Sequence, residues 1–181
     1  MLRSAMGYLA AADATAMEAA TQAQCLRTLE QLHAIETAAR ASVLGALASA
    51  RADTSRTDAG RGGAADFSPR SWLVRETGVT TGTATGHAAW ARRASEHPQV
   101  TEALAEGHRL SESVARTICT WTDKLPADCR VAADAILIVA AKSGANVRDL
   151  AEVFGGIYTL ARPRPGLVPA PEPAVISAVA I

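Results

Sequence analysis

The chain has 181 residues with 18 basic and 18 acidic side chains; 49% of its residues are hydrophobic and only 4% are aromatic. This length suits one domain, with or without a tail, and is sufficient to bury a real core. The zero net charge weighs against strong autonomous binding of nucleic acid, because phosphate neutralisation supplies most of the affinity of such proteins. Alanine, the strongest helix former, is the most frequent residue, and alternating strand patterns are rare. The composition therefore predicts an all-α protein.

The cysteines are few and scattered. Cys25, Cys119 and Cys129 are odd in number and form no C-x-x-C pair, which favours free thiols in a reducing compartment over disulfides or a zinc site. The first residues make a poor signal peptide. The longest apolar run, 135–141, is far shorter than the roughly 20 residues that span a bilayer. We therefore expect a cytoplasmic protein with no membrane partner.

The first predicted element is one long helix from about Asp13 to Arg51. Its apolar residues recur three or four positions apart, which places them on one face: Leu26, Leu29, Leu32, Ala39, Val43 and Leu47. A helix of this length favours packing against a partner, within the chain or in a dimer. Residues 51–67 are polar, rich in glycine and aperiodic, and they predict a flexible loop.

Six more helices are predicted between residues 68 and 161, each bounded by a cap, a proline or a glycine. They are Ser68–Gly78, Val79–Ala94, His97–Gly107, one capped by Ser111, Leu125–Gly144, and a last helix begun by a capping box of Asn146 and Asp149. The sixth helix of the whole series is apolar nearly all round at 136–139, which predicts a central, buried element. Five prolines within 162–181 predict a disordered tail. The predicted fold is a bundle of about seven helices over 1–161.

Residues 68–94 have the outline of a helix-turn-helix, two helices joined through Gly78-Val79-Thr80. In a DNA-binding version, the start of the second helix faces base edges and later basic residues hold phosphates. The residues concerned are Thr80, Thr83, Thr85 and His87, followed by Arg92 and Arg93. The alternative is a helical hairpin that only packs, which Gly82 and Gly86 favour because they weaken the second helix.

The same stretch resembles the DUF 222 domain, also called the 13E12 repeat family. The resemblance rests on W-L-V-R-E-T-G-V-T at 72–80, A-R-R-A-S-E-H-P-Q-V-T-E-A-L-A-E-G-H-R-L-S at 91–111 and D-K-L-P-A-D-C-R at 123–130. With L-E-Q-L-H-A-I-E at 29–36 it covers roughly 25–160. It implies a helical module of bacterial proteins that often carry an HNH endonuclease domain after it. Members tend to be rich in arginine where this chain has G-T-A-T-G-H-A-A-W.

No catalytic site is expected. An HNH site needs a histidine base and a metal-binding histidine with an asparagine between them. The only asparagine is Asn146, and the last histidine is His108, so we expect the nuclease half to be missing. No nucleotide-binding or hydrolase motif is present. We expect no cofactor, no metal and no small-molecule substrate.

The remaining titratable and aromatic side chains are expected to have structural roles or to face solvent. We interpret His33 as a packing residue, and His97 and His108 as capping or solvent-facing residues at helix junctions. Glu102 and Glu106 are four residues apart and predict a solvated helix face. The three tryptophans are expected in the core.

Two functional hypotheses remain. The first is a non-catalytic accessory module, linked to an HNH-type nuclease, with weak DNA contact through the six residues named above. The second is a protein-interaction or self-assembly module with no role in nucleic-acid binding, for which the long first helix is the expected surface.

Overall fold

The fold is a helical bundle, seen in a computed structural model that describes residues 2–57, 68–107 and 109–161. The helices are α1 (Leu2–Ala11), α2 (Ala19–Thr57), α3 (Pro69–Thr77), α4 (Thr81–Glu96), α5 (Pro98–Ala105), α6 (Glu112–Thr122), α7 (Ala127–Lys142) and α8 (Val147–Ala161), with a 3-10 turn at Ala14–Ala16. The described ranges contain no strand. The all-α prediction is confirmed, with one helix more than expected.

The N-terminal region differs from the single helix predicted to start at Asp13. The Asp13 carboxylate accepts hydrogen bonds from the Thr15 backbone N–H at 2.9 Å and from its hydroxyl at 2.6 Å, and so caps the 3-10 turn. A side chain that satisfies local backbone donors in this way competes with helix continuation. The predicted helix therefore begins at Ala19 rather than at Asp13, and α1 (Leu2–Ala11) is an additional helix before it that was not predicted.

The buried face of α2 is not the predicted leucine stripe. Its buried residues are small for the most part: Ala34, Thr37, Ala38, Ala41 and Leu44. By contrast Leu26 is 65% exposed and Val43 is 68% exposed. The prediction failed because it ranked side chains by hydrophobicity, whereas close approach of α4 and α5 to α2 selects small residues at the contact.

The short helix α5 forms the centre of the bundle. It packs against α2, α4, α6 and α7, and its Val100, Ala103 and Leu104 are buried. Ile118 of α6 and Leu137 of α7 are fully buried in the same cluster. Trp90 also lies in this cluster, while Trp72 and Trp121 pack against it, which confirms that the tryptophans serve the core.

The C-terminal pair, α7 and α8, forms a hairpin. Gly144 lies in the turn between them with a positive φ of 98°. The predicted capping box is confirmed: Asn146 N–H donates to Asp149 at 3.0 Å, and Asp149 N–H donates back to Asn146 at 3.2 Å. The prediction that α7 is buried all round is wrong. Leu137 and Ile138 are buried, but Val139 is 65% exposed, since α5, α6 and α8 cover only one side.

Two predicted segments extend outside the described residues. Helix α2 continues to Thr57, past the predicted start of the loop 51–67, and residues 58–67 are not described. The predicted tail 162–181 also lies outside the described residues. Within the described ranges, none of the helices combines the length and apolarity needed to cross a bilayer.

The turn after α5 provides a test of how tightly α2 is packed. Gly78 and Gly107 have nearly the same left-handed φ, 69° and 66°, but a Cβ at Gly107 would lie 2.6 Å from Ile35 Cδ1 whereas one at Gly78 meets nothing within 4 Å. Both alanine substitutions incur the left-handed strain of about 1–2 kcal/mol. We predict that Gly107→Ala lowers the free energy of unfolding, measured by urea denaturation, by more than Gly78→Ala does.

The clash also predicts a rescue. Ile35→Val in the Gly107→Ala background removes the atom that a Cβ would meet at 2.6 Å and should recover part of the loss. Equal costs for Gly78→Ala and Gly107→Ala would show that α2 and the α5 turn are not in close contact.

Candidate nucleic-acid interface

The predicted helix-turn-helix outline is present as α3, a tight turn and α4. The Ser68 hydroxyl accepts from Ser71 N–H at 3.3 Å and Pro69 occupies the first turn. Gly78 ends α3 in the left-handed conformation that glycine adopts without a Cβ clash. The Thr80 hydroxyl then accepts from Thr83 N–H at 3.2 Å and so caps α4. The caps encoded in the local sequence, Ser68 and Thr80, therefore fix where each helix of this hairpin begins.

The three threonines expected to face bases are exposed at the start of α4, with hydroxyls that serve the helix. Thr80 and Thr83 hydroxyls lie 3.0 Å apart, and the Thr85 hydroxyl donates to the Thr81 carbonyl at 2.8 Å. A hydroxyl oxygen retains acceptor capacity in such bonds. These residues thus form a small polar surface at the N-terminus of α4.

His87 lies elsewhere, on the side of α4 that packs on α2. It is partly buried, and its ring nitrogens are 3.0 and 3.2 Å from Arg40 Nη1, so the guanidinium donates to the ring. Burial, reinforced by the positive charge of Arg40, lowers the pKa of His87. The structure separates this residue from Thr85 and Arg92, which are seven positions apart and share the outer side of α4.

The two arginines have different surroundings. Arg92 is exposed, and its guanidinium has no hydrogen bond or ion pair with the residues that the structure describes. Arg93 is paired with Asp123 at 3.0 Å. One arginine is therefore available to a ligand, while the other is positioned by a carboxylate at the end of α6.

Both arginines line one polar cavity of about 300 Å³ between α4 and α6, here called the arginine cavity. Its lining residues are Ala89, Trp90, Arg92, Arg93, Glu96, Arg116 and Asp123. Sequence reasoning missed Arg116 and Asp123, because they lie 20 and 27 residues after the end of α4 and only helix packing brings them to the cavity. Three guanidinium groups meet two carboxylates in this cavity.

Arg116 is fixed on two sides. Its guanidinium contacts the Glu112 carboxylate at 2.6 and 2.7 Å and lies 4.5 Å from the centre of the Trp90 ring, a cation–π distance. The Arg116 and His33 hydrogen bonds and charges lower the pKa of Glu112 against the opposing effect of burial. Trp90 is only 3% exposed, and its indole N–H has no hydrogen-bond partner among the described residues.

A polar chain runs from the cavity into the core and is here called the His97 network: Arg93, Asp123, His97, Asp134 and Thr122. His97 Nε2 is 2.9 Å from Asp123 and Nδ1 is 2.8 Å from Asp134. The Thr122 hydroxyl donates to the other Asp134 oxygen at 2.7 Å. His97, Thr122 and Asp134 are at most 2% exposed. His97 does lie at the predicted helix junction, where its backbone N–H donates to the Ala94 carbonyl at the end of α4. Its side chain makes no cap hydrogen bond and is fully buried, so the expectation of a capping or solvent-facing side chain is wrong.

The buried members of the His97 network (His97, Thr122 and Asp134) and their neighbour Cys119 are not accessible to a substrate. Burial, to which the nearby Asp134 and Asp123 carboxylates add, raises the pKa of the Cys119 thiol to about 12. The reactive form of cysteine is the thiolate, so this thiol is inert at neutral pH. Among the described residues, no group of three or more histidine, cysteine or acidic side chains is arranged to hold a metal.

The other singled-out side chains lie on the surface. His33, predicted to pack, is half exposed and lies 2.6 Å from Glu112. Glu102 and Glu106 are exposed as expected, and Glu106 pairs with Lys142 at 2.6 Å. His108 is outside the described residues.

The thiols provide a direct check of this arrangement. Cys25 and Cys129 are partly exposed and Cys119 is fully buried. We predict that two thiols per chain react with a chromogenic disulfide in the native protein and the third only after denaturation. Cys119→Ser should leave the native count at two, and rapid reaction of three thiols would contradict the buried placement of Cys119.

The chain was compared with protein-family models, with curated proteins and with solved structures, and none of the three comparisons gives a match. The similarity to the DUF 222 domain therefore stays a prediction from the motifs of this sequence.

Proposed function

We propose that this chain is a non-catalytic helical accessory module that makes weak contact with the phosphate backbone of DNA. The observation that carries the proposal is the arginine cavity, which unites Arg92 and Arg93 with Arg116. Following the resemblance, the module would operate beside an HNH-type nuclease domain. The free thiols of Cys25, Cys119 and Cys129 favour a reducing cytoplasmic setting.

The cavity offers the donors that a phosphate needs. Guanidinium groups match phosphate oxygens with paired N–H donors. Asp123 and Glu112 hold Arg93 and Arg116 in place, which reduces the ordering cost when an anion arrives. Arg92 supplies the guanidinium that is not already paired.

The exposed side of α4 that carries Arg92 also carries threonines that extend the proposed contact with DNA. Thr85 lies two helical turns before Arg92, about 10 Å along the axis, and the exposed Thr80 and Thr83 lie at the positive N-terminal end of the helix dipole. A strand that reaches the cavity can therefore touch this end of α4 as well.

The contact is expected to be weak. Glu96 and Asp123 line the cavity beside the arginines, and Arg130 lies 3.6 Å from Glu96. Together with the zero net charge of the chain, this leaves few positive groups to release counterions from DNA. Affinity should depend steeply on the few guanidinium groups that lack a strong internal partner.

A protein-interaction or self-assembly module is the second candidate, and exposed apolar residues of the N-terminal helices favour it. An apolar cavity of about 370 Å³ between α1 and α2 is lined by Leu9, Met17, Cys25, Leu26 and Leu29, among others. Leu26 is 65% exposed. Exposed apolar surface of this kind marks many protein-interaction sites.

The DNA proposal is tested by fluorescence anisotropy with a labelled duplex, from low to physiological salt. We predict micromolar binding by the unaltered chain at low salt, weakening steeply as salt is added. Arg92→Ala should lower affinity on every sequence tested and reduce the salt slope by about 1, as expected for one lost phosphate contact. Arg92→Ala with Arg93→Ala should lower both further.

Arg148→Ala is the matched control, because Arg148 is an arginine of α8 whose side chain is 88% exposed. It should leave affinity and salt slope unchanged. If the chain binds DNA and the Arg92 and Arg93 variants behave like Arg148→Ala, the cavity is not the contact surface. Absence of binding even at low salt would favour the interaction module instead.

A further inference from the structure

Helix α7 carries an apolar outer face that the bundle leaves uncovered. Val131, Ile136 and Val139 on this face are 53%, 50% and 65% exposed. The two other charged residues of α7 point elsewhere, because Asp134 is buried against His97 and Arg130 lies near Glu96. The face therefore has no charge between its ends, where Asp128 and Lys142 lie.

A helix that is apolar on both sides normally has both sides covered. Among the described residues, α5, α6 and α8 cover one side of α7, and three large β-branched side chains on the other side are exposed. Contiguous exposed apolar surface of this kind indicates an interaction site.

We propose that this face pairs with the same face of a second copy of the chain, the two α7 helices running antiparallel about a two-fold axis at Ala135. The pattern of the face is self-complementary, as a two-fold interface requires. With the axis at Ala135, Val131 of one copy meets Val139 of the other at each end. Asp128 of one copy then lies at the Lys142 end of its partner.

The sizes of the side chains suit this arrangement. Ala135 meets its own copy on the axis, and Ala132 lies next to Val131 on the same face. Small residues at the crossing point allow two helices to approach within the usual 8–10 Å, so that the larger valines and Ile136 fill the space on either side.

The charges at the ends select the antiparallel direction. Asp128 is exposed and has no hydrogen bond or ion pair with the described residues. Lys142 contacts Glu106 at 2.6 Å and its side chain is one-third exposed. An ammonium group has three donors, so Lys142 can donate to a second carboxylate as well. A parallel pair would instead place Asp128 against Asp128 and Lys142 against Lys142.

The test is sedimentation equilibrium of the full chain over a wide concentration range, in the absence of nucleic acid. We expect a concentration-dependent dimer. Val139→Glu should raise its dissociation constant at least roughly tenfold, because it buries an unpaired charge at the contact. Val43→Glu is the matched control: Val43 is a valine of α2 that is 68% exposed, and its substitution should leave the dimer intact.

A charge exchange tests the direction of pairing independently of the apolar substitution. Asp128→Lys should weaken the dimer, and adding Lys142→Asp should restore it, with circular dichroism confirming that each variant is folded. A strict monomer at all concentrations, or a dimer lost in Val43→Glu and kept in Val139→Glu, would overturn the proposal. Because no DNA is present, neither outcome depends on the proposed phosphate contact.

Discussion

The fold depends on a fully buried histidine between two carboxylates. His97 ends α4 and precedes α5, Asp123 ends α6, and Asp134 lies in the middle of α7. Each ring nitrogen of His97 lies within hydrogen-bond distance of one of these carboxylates, so the ring links Asp123 to Asp134. Buried charges persist only when they are paired and hydrogen-bonded, and the Thr122 hydroxyl and the Arg93 guanidinium complete the set. These contacts connect α4, α5, α6 and α7 to one another. The same contacts position Arg93 in the arginine cavity through Asp123.

Local signals predicted the helix boundaries well from Ser68 onward. Caps, prolines and left-handed glycines act through backbone groups within a few residues, so Ser68, Thr80, Ser111 and the Asn146–Asp149 box are all found where the sequence places them. The buried faces were harder to predict because they depend on which helices approach. On α2, small residues occupy most of the contacts, while Leu26 and Leu29 are exposed. On α7, the apolar run at 135–141 has one side covered by other helices and one side exposed. Hydrophobicity alone does not distinguish these cases.

The candidate site was predicted only in part. The sequence identified Arg92 and Arg93, since both lie on one helix after a recognisable turn, but it grouped them with His87, which the fold turns toward Arg40. Arg116 and Asp123 reach the cavity through the packing of α6 on the bundle, and no spacing rule reports such a contact. The sequence around His97 did not predict its buried contacts. A histidine before a proline gives no reason to expect two acidic partners 26 and 37 residues away.

A double-mutant cycle on His97 and Asp134 tests whether this buried network stabilises the fold, with the exposed pair Arg148 and Glu152 as control. We predict that His97→Gln and Asp134→Asn each lower the free energy of unfolding by about 3–5 kcal/mol, since each leaves a buried group without its partner. The double variant should cost about 1–3 kcal/mol less than their sum. Arg148→Gln and Glu152→Gln, at an ion pair whose side chains are 88% and 73% exposed, should each cost about 1 kcal/mol or less. Additive losses at His97 and Asp134, or losses as small as those of the surface pair, would contradict the account.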